Sequence, residues 1–242
     1  MNVKNNELIY YVEATNPVAE NITTLVPLKK DMEKSGKKEK AILKRIIDIL
    51  GGICGVIILI PLTIGIAIAN LFAKDKGPIF YTQERIGKNG KLFKMYKFRS
   101  MVVGAEEKLE KYLAENEEAR KEYSEYKKLK DDPRITKVGK FIRKNSLDEF
   151  PQFINVLKGE MSLVGPRPYL PQEQKDMGWY YQYIIQDKPG VTGIWQISGR
   201  SGVTFQDRLN MDLEYYRKSS FKSYINLLLK TVYKVVKKEG AL

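Results

Sequence analysis

Histidine is absent from all 242 residues. That excludes Ser-His-Asp and Cys-His nucleophile systems and the common imidazole metal sites. Any chemistry must rest on carboxylates, Lys, Arg, Tyr or hydroxyls. Cysteine is nearly absent as well: Cys54 stands alone inside an apolar run, so a disulfide framework and a cysteine zinc site are both excluded. Acids are in the minority, 29 Asp and Glu against 42 Lys and Arg, for a formal charge of +13. Such an excess favours polyanionic partners (nucleic acid, anionic lipid or phosphorylated substrates) without choosing among them. The length suits one globular domain with attachments, able to bury a core without disulfide or metal support.

Residues 1–40 carry few periodic apolar positions and read as a basic tail, with eight Lys or Arg against three acids between Lys29 and Arg45. Residues 49–73 contain no charge over 25 positions, enough for a helix to cross a hydrocarbon core. The region before them is far too long for a secretory signal peptide. Pro61, near the centre of this run, removes a backbone hydrogen bond and is expected to kink the helix. Lys44 and Arg45 precede the run and Lys74 and Lys76 follow it, so the positive-inside rule gives no direction. A kinked single span, and a helix that breaks at Pro61 and returns on the same side, both fit these residues.

Residues 79–101 alternate apolar and polar positions around Lys88-Asn89-Gly90, which predicts a β-hairpin with an Asn-Gly turn. Residues 105–130 are charge-rich and read as solvated helix. Glycine and proline at 188–193 and glycine and serine at 198–202 mark loops. Residues 221–238 read as a helix with Lys222, Lys230, Lys234 and Lys238 on one stripe and Tyr224, Leu228, Val232 and Val235 on another. This pattern fits an interfacial amphipathic helix, and equally a surface helix packed on the domain.

Carboxylates, cations and turn formers concentrate at residues 131–168. Ser146-Leu147-Asp148-Glu149 fits a capping box, with Ser146 as N-cap, which puts Asp148 and Glu149 in a first helical turn. Acids there can simply favour the helix dipole. Arg143 and Lys144 before them and Gly165-Pro166-Arg167-Pro168 after them add cations that could converge on the same helix end, where phosphate binds readily. Neighbouring carboxylates also suit a magnesium ion travelling with a nucleotide diphosphate.

Several strings then carry a more specific likeness. They are Lys44-Arg45 before the apolar run, Tyr96-Lys97-Phe98-Arg99-Ser100-Met101, Asp132-Pro133-Arg134, the stretch from Arg143 to Gln152, that from Asn155 to Pro168, and Lys188-Pro189-Gly190-Val191-Thr192-Gly193. Over roughly residues 41–240 the chain resembles the bacterial sugar transferases of the monotopic phosphoglycosyl transferase superfamily. The resemblance implies an α+β fold: a mostly helical cytosolic catalytic domain (75–242) with a small β-hairpin, anchored by a re-entrant membrane helix (41–74) broken at Pro61 and by amphipathic interfacial helices. Family members usually have Ser before this proline, where this chain has Ile60. Asp148 is implied as the nucleophile, with Glu149 assisting and both able to hold Mg2+. Arg143 and Arg167 are implied as phosphate contacts, with Lys97 and Arg99 as further candidates. The implied substrates are a UDP-sugar and polyprenyl phosphate, with UMP released at the cytoplasmic face of a bacterial cell membrane. Membrane lipid is the implied surface, nucleic acid is not a partner, and a homo-oligomer is left open. Trp195-Gln196-Ile197-Ser198-Gly199-Arg200 looks more like the glucose or galactose phosphate transferases than the compact diacetamido-sugar enzymes. A membrane-tethered adaptor would explain the charge but leaves the clustering of Asp148, Glu149, Arg143 and Arg167 unexplained. A nucleotide-sugar hydrolase differs from the transferase only in using water as acceptor.

Overall fold

Three glycines set how closely the apolar helix lies against the rest of the molecule. The computed structural model describes residues 34–198 and 202–237. Its first element, α1 (Lys34–Leu71), covers the expected membrane segment and starts inside the stretch read above as tail, most of which lies outside the described residues. A Cβ at Gly51, Gly52 or Gly55 would sit 2.6, 2.6 and 2.2 Å from the side chains of Leu163, Leu157 and Phe153. Only glycine lets α1 approach α5 (Gln152–Lys158) and β3 (Ser162–Val164) this closely.

Polar groups fix both ends of α1 to the same body. Arg45 donates to the carbonyls of Val156 and Leu157 at 2.6 and 2.7 Å, capping the C-terminal end of α5. Asp48, 4% exposed, accepts from Ser162 Oγ, the Leu163 amide and the Tyr224 hydroxyl at 2.9, 2.8 and 2.7 Å. At the far end, Asn70 donates to the Gly77 carbonyl at 2.9 Å and accepts from Arg99 at 2.9 Å. Outward, Ile53, Ile57, Ile60, Ile64, Ile68 and Leu71 are exposed, and α1 is long and apolar enough to cross a membrane.

The expected break at Pro61 is not an interruption of the helix, because α1 runs through it. One missing amide is tolerated where packing holds both halves. Leu59, Leu62 and Ile66 join a single cluster with Phe98, Ile142, Leu147 and Phe150, and Thr63 Oγ1 donates to the Leu59 carbonyl at 2.7 Å.

The hairpin forms as read: β1 (Phe80–Ile86) pairs antiparallel with β2 (Leu92–Phe98), Phe80 opposite Phe98 and Ile86 opposite Leu92. Asn89 and Gly90 take φ of 57° and 77°, the left-handed values that an Asn-Gly hairpin turn needs, and the Lys91 amide closes on the Lys88 carbonyl at 3.2 Å. The charge-rich stretch forms α2 (Ala105–Glu115) and α3 (Glu117–Tyr126), with Asn116 accepting from the Ala119 amide as N-cap of α3. A second sheet was not foreseen: β3 pairs in parallel with β4 (Gly190–Thr192), inside the segment read as loop. The loop expected at 198–202 falls mostly on residues outside the described ones.

Beyond the short helices α6 (Gln174–Met177), α7 (Tyr181–Ile184) and α8 (Ile194–Ile197), helix α9 (Phe205–Lys218) packs its Phe205, Leu209, Leu213 and Tyr216 into the core beside Tyr169, and α10 (Phe221–Lys237) follows. The apolar stripe expected on α10 splits in two. Tyr224 is fully buried and Leu228 packs on the core, whereas Val232 and Val235 are exposed. Lys234 leaves the expected basic stripe to reach the Ile197 carbonyl. Domain packing thus takes the first half of α10, and an apolar surface remains only on its second half.

Candidate active site

The acid pair sits on a turn rather than at the start of an α-helix. Leu147–Glu149 form a single 3-10 turn, Ser146 is left-handed at φ 55°, and its side chain makes no capping hydrogen bond. The capping box therefore does not form. Pro151 has no amide to give the Leu147 carbonyl, so a helix opened at 146 stops after one turn, and the Phe150 amide closes it at 3.1 Å. The α-helix proper begins at Gln152.

This turn is pinned from both sides. Leu147 and Phe150 insert into the cluster holding Leu59, Leu62 and Ile66 of α1 with Phe98 of β2, leaving Asp148 and Glu149 half-exposed between them. The carboxylates thus lie beside the stretch of the apolar helix that contains Pro61.

Lys97 of β2 faces the pair. Burial lowers the pKa of its ammonium, Asp148 and Glu149 oppose that shift, and Arg85 and Arg167 push with it. Three more cations share the field: burial lowers Lys128, and Arg208, Arg167 and Arg143 push the same way. Arg143, in the last turn of α4 (Lys137–Lys144), also acts on Asp132. Burial works to raise that carboxyl, but two side-chain bonds from Arg134, at 2.8 and 2.6 Å, outweigh it and hold the group below its ordinary value. Asp132-Pro133-Arg134 is accordingly a self-clamped turn.

Arg167 follows β3. Its guanidinium lies over the Trp195 ring at 5.3 Å, and its Nε is buried with no hydrogen-bond partner. Asp148, Glu149, Arg85 and Arg167 thus act on Lys97; Arg143, Arg167 and Arg208 act on Lys128, and Arg167 is common to both sets. Arg99 does not join them. It is held in the strap after α1, pairing with Asp75 at 3.0 Å and donating to Asn70 and to the carbonyls of Asp75 and Pro78.

Two arginines that the sequence reading passed over belong here. Arg85, 6% exposed, donates to the Pro168 carbonyl at 3.0 Å, and its Nε has no partner. Arg208 of α9 is buried and reaches the Tyr126 carbonyl. Burial, then the Arg167 charge, lowers each to about 10, and Glu173 works against the shift in both. The Arg167 charge thus works against both buried guanidiniums, and an anion among the three would relieve it. Arg208 and Asp212, four apart on the stripe of Phe205, Leu209, Leu213 and Tyr216, carried a readable signal: charged residues at core positions.

Among the described residues no group of three or more acidic or cysteine side chains gathers as a metal cage. Asp148 and Glu149, adjacent and half-exposed, fit an ion that takes its remaining oxygens from substrate phosphate and water, as magnesium commonly does.

Residues 39–238 match the model of the family described as bacterial sugar transferase. The chain belongs to the bacterial sugar transferase family. It is 45% identical over 205 residues to an undecaprenyl-phosphate galactose phosphotransferase of Salmonella typhimurium, covering 85% of this chain and 43% of that protein. The UDP-galactose-lipid carrier transferase of Erwinia amylovora is 43% identical over the same length and the same shares. The exopolysaccharide production protein ExoY of Sinorhizobium fredii is 38% identical over 200 residues, 83% of this chain and 88% of that protein. The chain spans less than half the length of the first two relatives. Within the family match lie the acid turn, the strap and both sheets.

Proposed function

We propose that this family member moves a hexose-1-phosphate from a UDP-sugar to polyprenyl phosphate at the cytoplasmic face of a bacterial membrane, initiating exopolysaccharide or capsule assembly. The observation that carries the reading is the Leu147–Glu149 turn: two carboxylates between apolar anchors on the membrane helix, acting on Lys97, which Arg85 and Arg167 also reach. A reaction joining a water-soluble nucleotide sugar to a lipid phosphate needs that juxtaposition. The names of the relatives point the same way.

In the first half-reaction a carboxylate oxygen of Asp148 attacks the phosphorus bearing the sugar. The bond from that phosphorus to the UMP oxygen breaks, and UMP leaves with its electron pair. In the second, an oxygen of polyprenyl phosphate attacks the same phosphorus and the bond to Asp148 breaks. The carboxylate is regenerated and a lipid diphosphosugar is formed. Arg167, Arg143, Arg85 and Lys97 hold the phosphates and offset the charge that grows on them. Glu149 assists in orienting the phosphate or in proton transfer. Asp148 and Glu149 would also hold magnesium, which supplies further neutralisation of phosphoryl charge.

The membrane arrangement we favour is re-entrant, with α1 bending at Pro61 while staying helical on both sides, so that its two ends remain on one face. Asn70 lies 25 positions after Arg45 in α1, about 38 Å along the helix. Both residues are bonded to the same domain, and Leu59, Leu62 and Ile66 pack on it between them. A span straight across a hydrocarbon core of about 30 Å would carry one end away from a domain that stays in water.

The test is brief incubation with a UDP-sugar labelled in the sugar phosphate, without acceptor. Label is expected on the wild-type protein and not on Asp148→Asn, whose turnover falls on the order of 10³-fold or more while membrane association is kept. Near-normal turnover of Asp148→Asn refutes the assignment. Release of free sugar phosphate without lipid favours a hydrolase.

A further inference from the structure

Asp212 is a fully buried carboxylate that the proposed chemistry does not use. It projects from α9 beneath the segment that carries Arg167. One oxygen, Oδ2, accepts both the Arg167 backbone N–H at 3.1 Å and the Tyr169 hydroxyl at 2.7 Å, and the other, Oδ1, is buried without a partner. Two bonds from residues flanking Pro168 thus converge on one atom and fix where the Arg167 Cα stands. The neighbouring contacts leave little slack. Tyr215 donates to the Val164 carbonyl at 3.1 Å, and the Tyr169 ring meets Phe205 edge-on with centroids 5.9 Å apart.

We infer that Asp212 is a positioning residue: its carboxylate, by holding the Arg167 amide and the Tyr169 hydroxyl, sets the Arg167 guanidinium against Trp195 so that it meets the diphosphate of a nucleotide sugar. The inference rests on reading Arg167 as a phosphate contact. The charged and titratable groups that face Asp212 are Arg167 and Tyr169 from the segment after β3, and Arg208 and Tyr215 from α9 itself. Burial raises its pKa to about 7, against the pull of the Tyr169 and Arg167 bonds and of both guanidiniums. Falling pH through that value places a proton on the carboxyl. It then accepts less strongly from Arg167 and no longer balances the two arginines, so nucleotide-sugar affinity falls on the acid side.

The experiment measures equilibrium binding of UDP-glucose, whose diphosphate does not titrate between about pH 6 and pH 8, in the full chain carrying Asp148→Asn to prevent turnover. The parent is expected to bind more weakly as pH falls across this window. Adding Asp212→Asn should weaken binding about 10-fold at the upper end and flatten the dependence, and adding Tyr169→Phe should weaken it about 3-fold. Unchanged affinity, or a uniform loss with the pH dependence intact, overturns the positioning role while leaving the transferase reading in place. Should the Asp212 variant not fold, unchanged affinity of the Tyr169→Phe protein overturns it equally. A parent protein that binds neither UDP-glucose nor UDP-galactose overturns both. Label retained by Asp148→Asn in the transfer assay moves the nucleophile to another residue and leaves the positioning role of Asp212 in place.

Discussion

A single methyl group at Gly165 probes how tightly the second sheet holds the phosphate-binding segment. A Cβ built there lies 2.3 Å from the Lys188 carbonyl oxygen, 2.7 Å from the Gly190 nitrogen and 3.0 Å from the Pro189 carbonyl carbon, all backbone atoms. Relieving the shortest contact to 3.0 Å moves β3 and β4 apart by about 0.7 Å. That movement stretches two of the bonds joining these segments, Gly165 N–H to the Thr192 carbonyl and Gly190 N–H to the Pro166 carbonyl, each 2.9 Å. Overpacking of this kind costs about 1–3 kcal/mol, and in a chain of this size each kcal/mol lowers Tm by roughly 2–4 °C. Arg167 lies two residues on, and a misplacement approaching 1 Å costs about 10²-fold in rate. Gly165→Ala is therefore expected to lower Tm by about 5 °C and turnover by between about 10-fold and 10²-fold. Thermal unfolding in detergent reads the first and UMP release the second. Gly65→Ala is the control, because its added methyl meets nothing within 4 Å and alanine favours helix. A Gly165→Ala protein that melts and turns over like wild type refutes the reasoning.

Two other substitutions separate anchoring from chemistry. Arg99→Ala opens the strap to Asn70, Asp75 and Pro78, and is expected to lower stability by about 1–2 kcal/mol with kcat within about 3-fold of wild type. A large loss of kcat in a protein of undiminished stability would return Arg99 to the phosphate site. Asp48→Ala leaves Ser162 Oγ, the Leu163 amide and the Tyr224 hydroxyl buried without their acceptor. The expected cost is about 3–5 kcal/mol, seen as faster proteolysis around α10, and an unchanged proteolytic pattern argues against the latch between α1 and α10.

Local chemistry decided a good part of this molecule. Twenty-five uncharged positions can only be a membrane-seeking or buried helix, and alternation around Asn89-Gly90 can hardly avoid a hairpin, because both follow from a period and a turn. The roles expected of Asp148, Glu149, Arg143, Arg167 and Lys97 came from the likeness to the bacterial sugar transferases, and the absence of histidine only narrowed the side chains that could act. What decided the rest was which groups met across long separations in the chain. Arg99 sits two residues from Lys97 and looks equivalent in sequence, yet the two lie on either side of buried Phe98 and one of them fell to Asp75 and Asn70. The path through Pro61 depended on a cluster drawn from α1, β2 and the acid turn, and the fate of α10 on Asp48 lying 176 residues away from Tyr224. Arg85, Arg208 and Asp212 acquire their meaning only through mutual burial, since a charge at a core position of one helix cannot reveal which charges from other elements will face it.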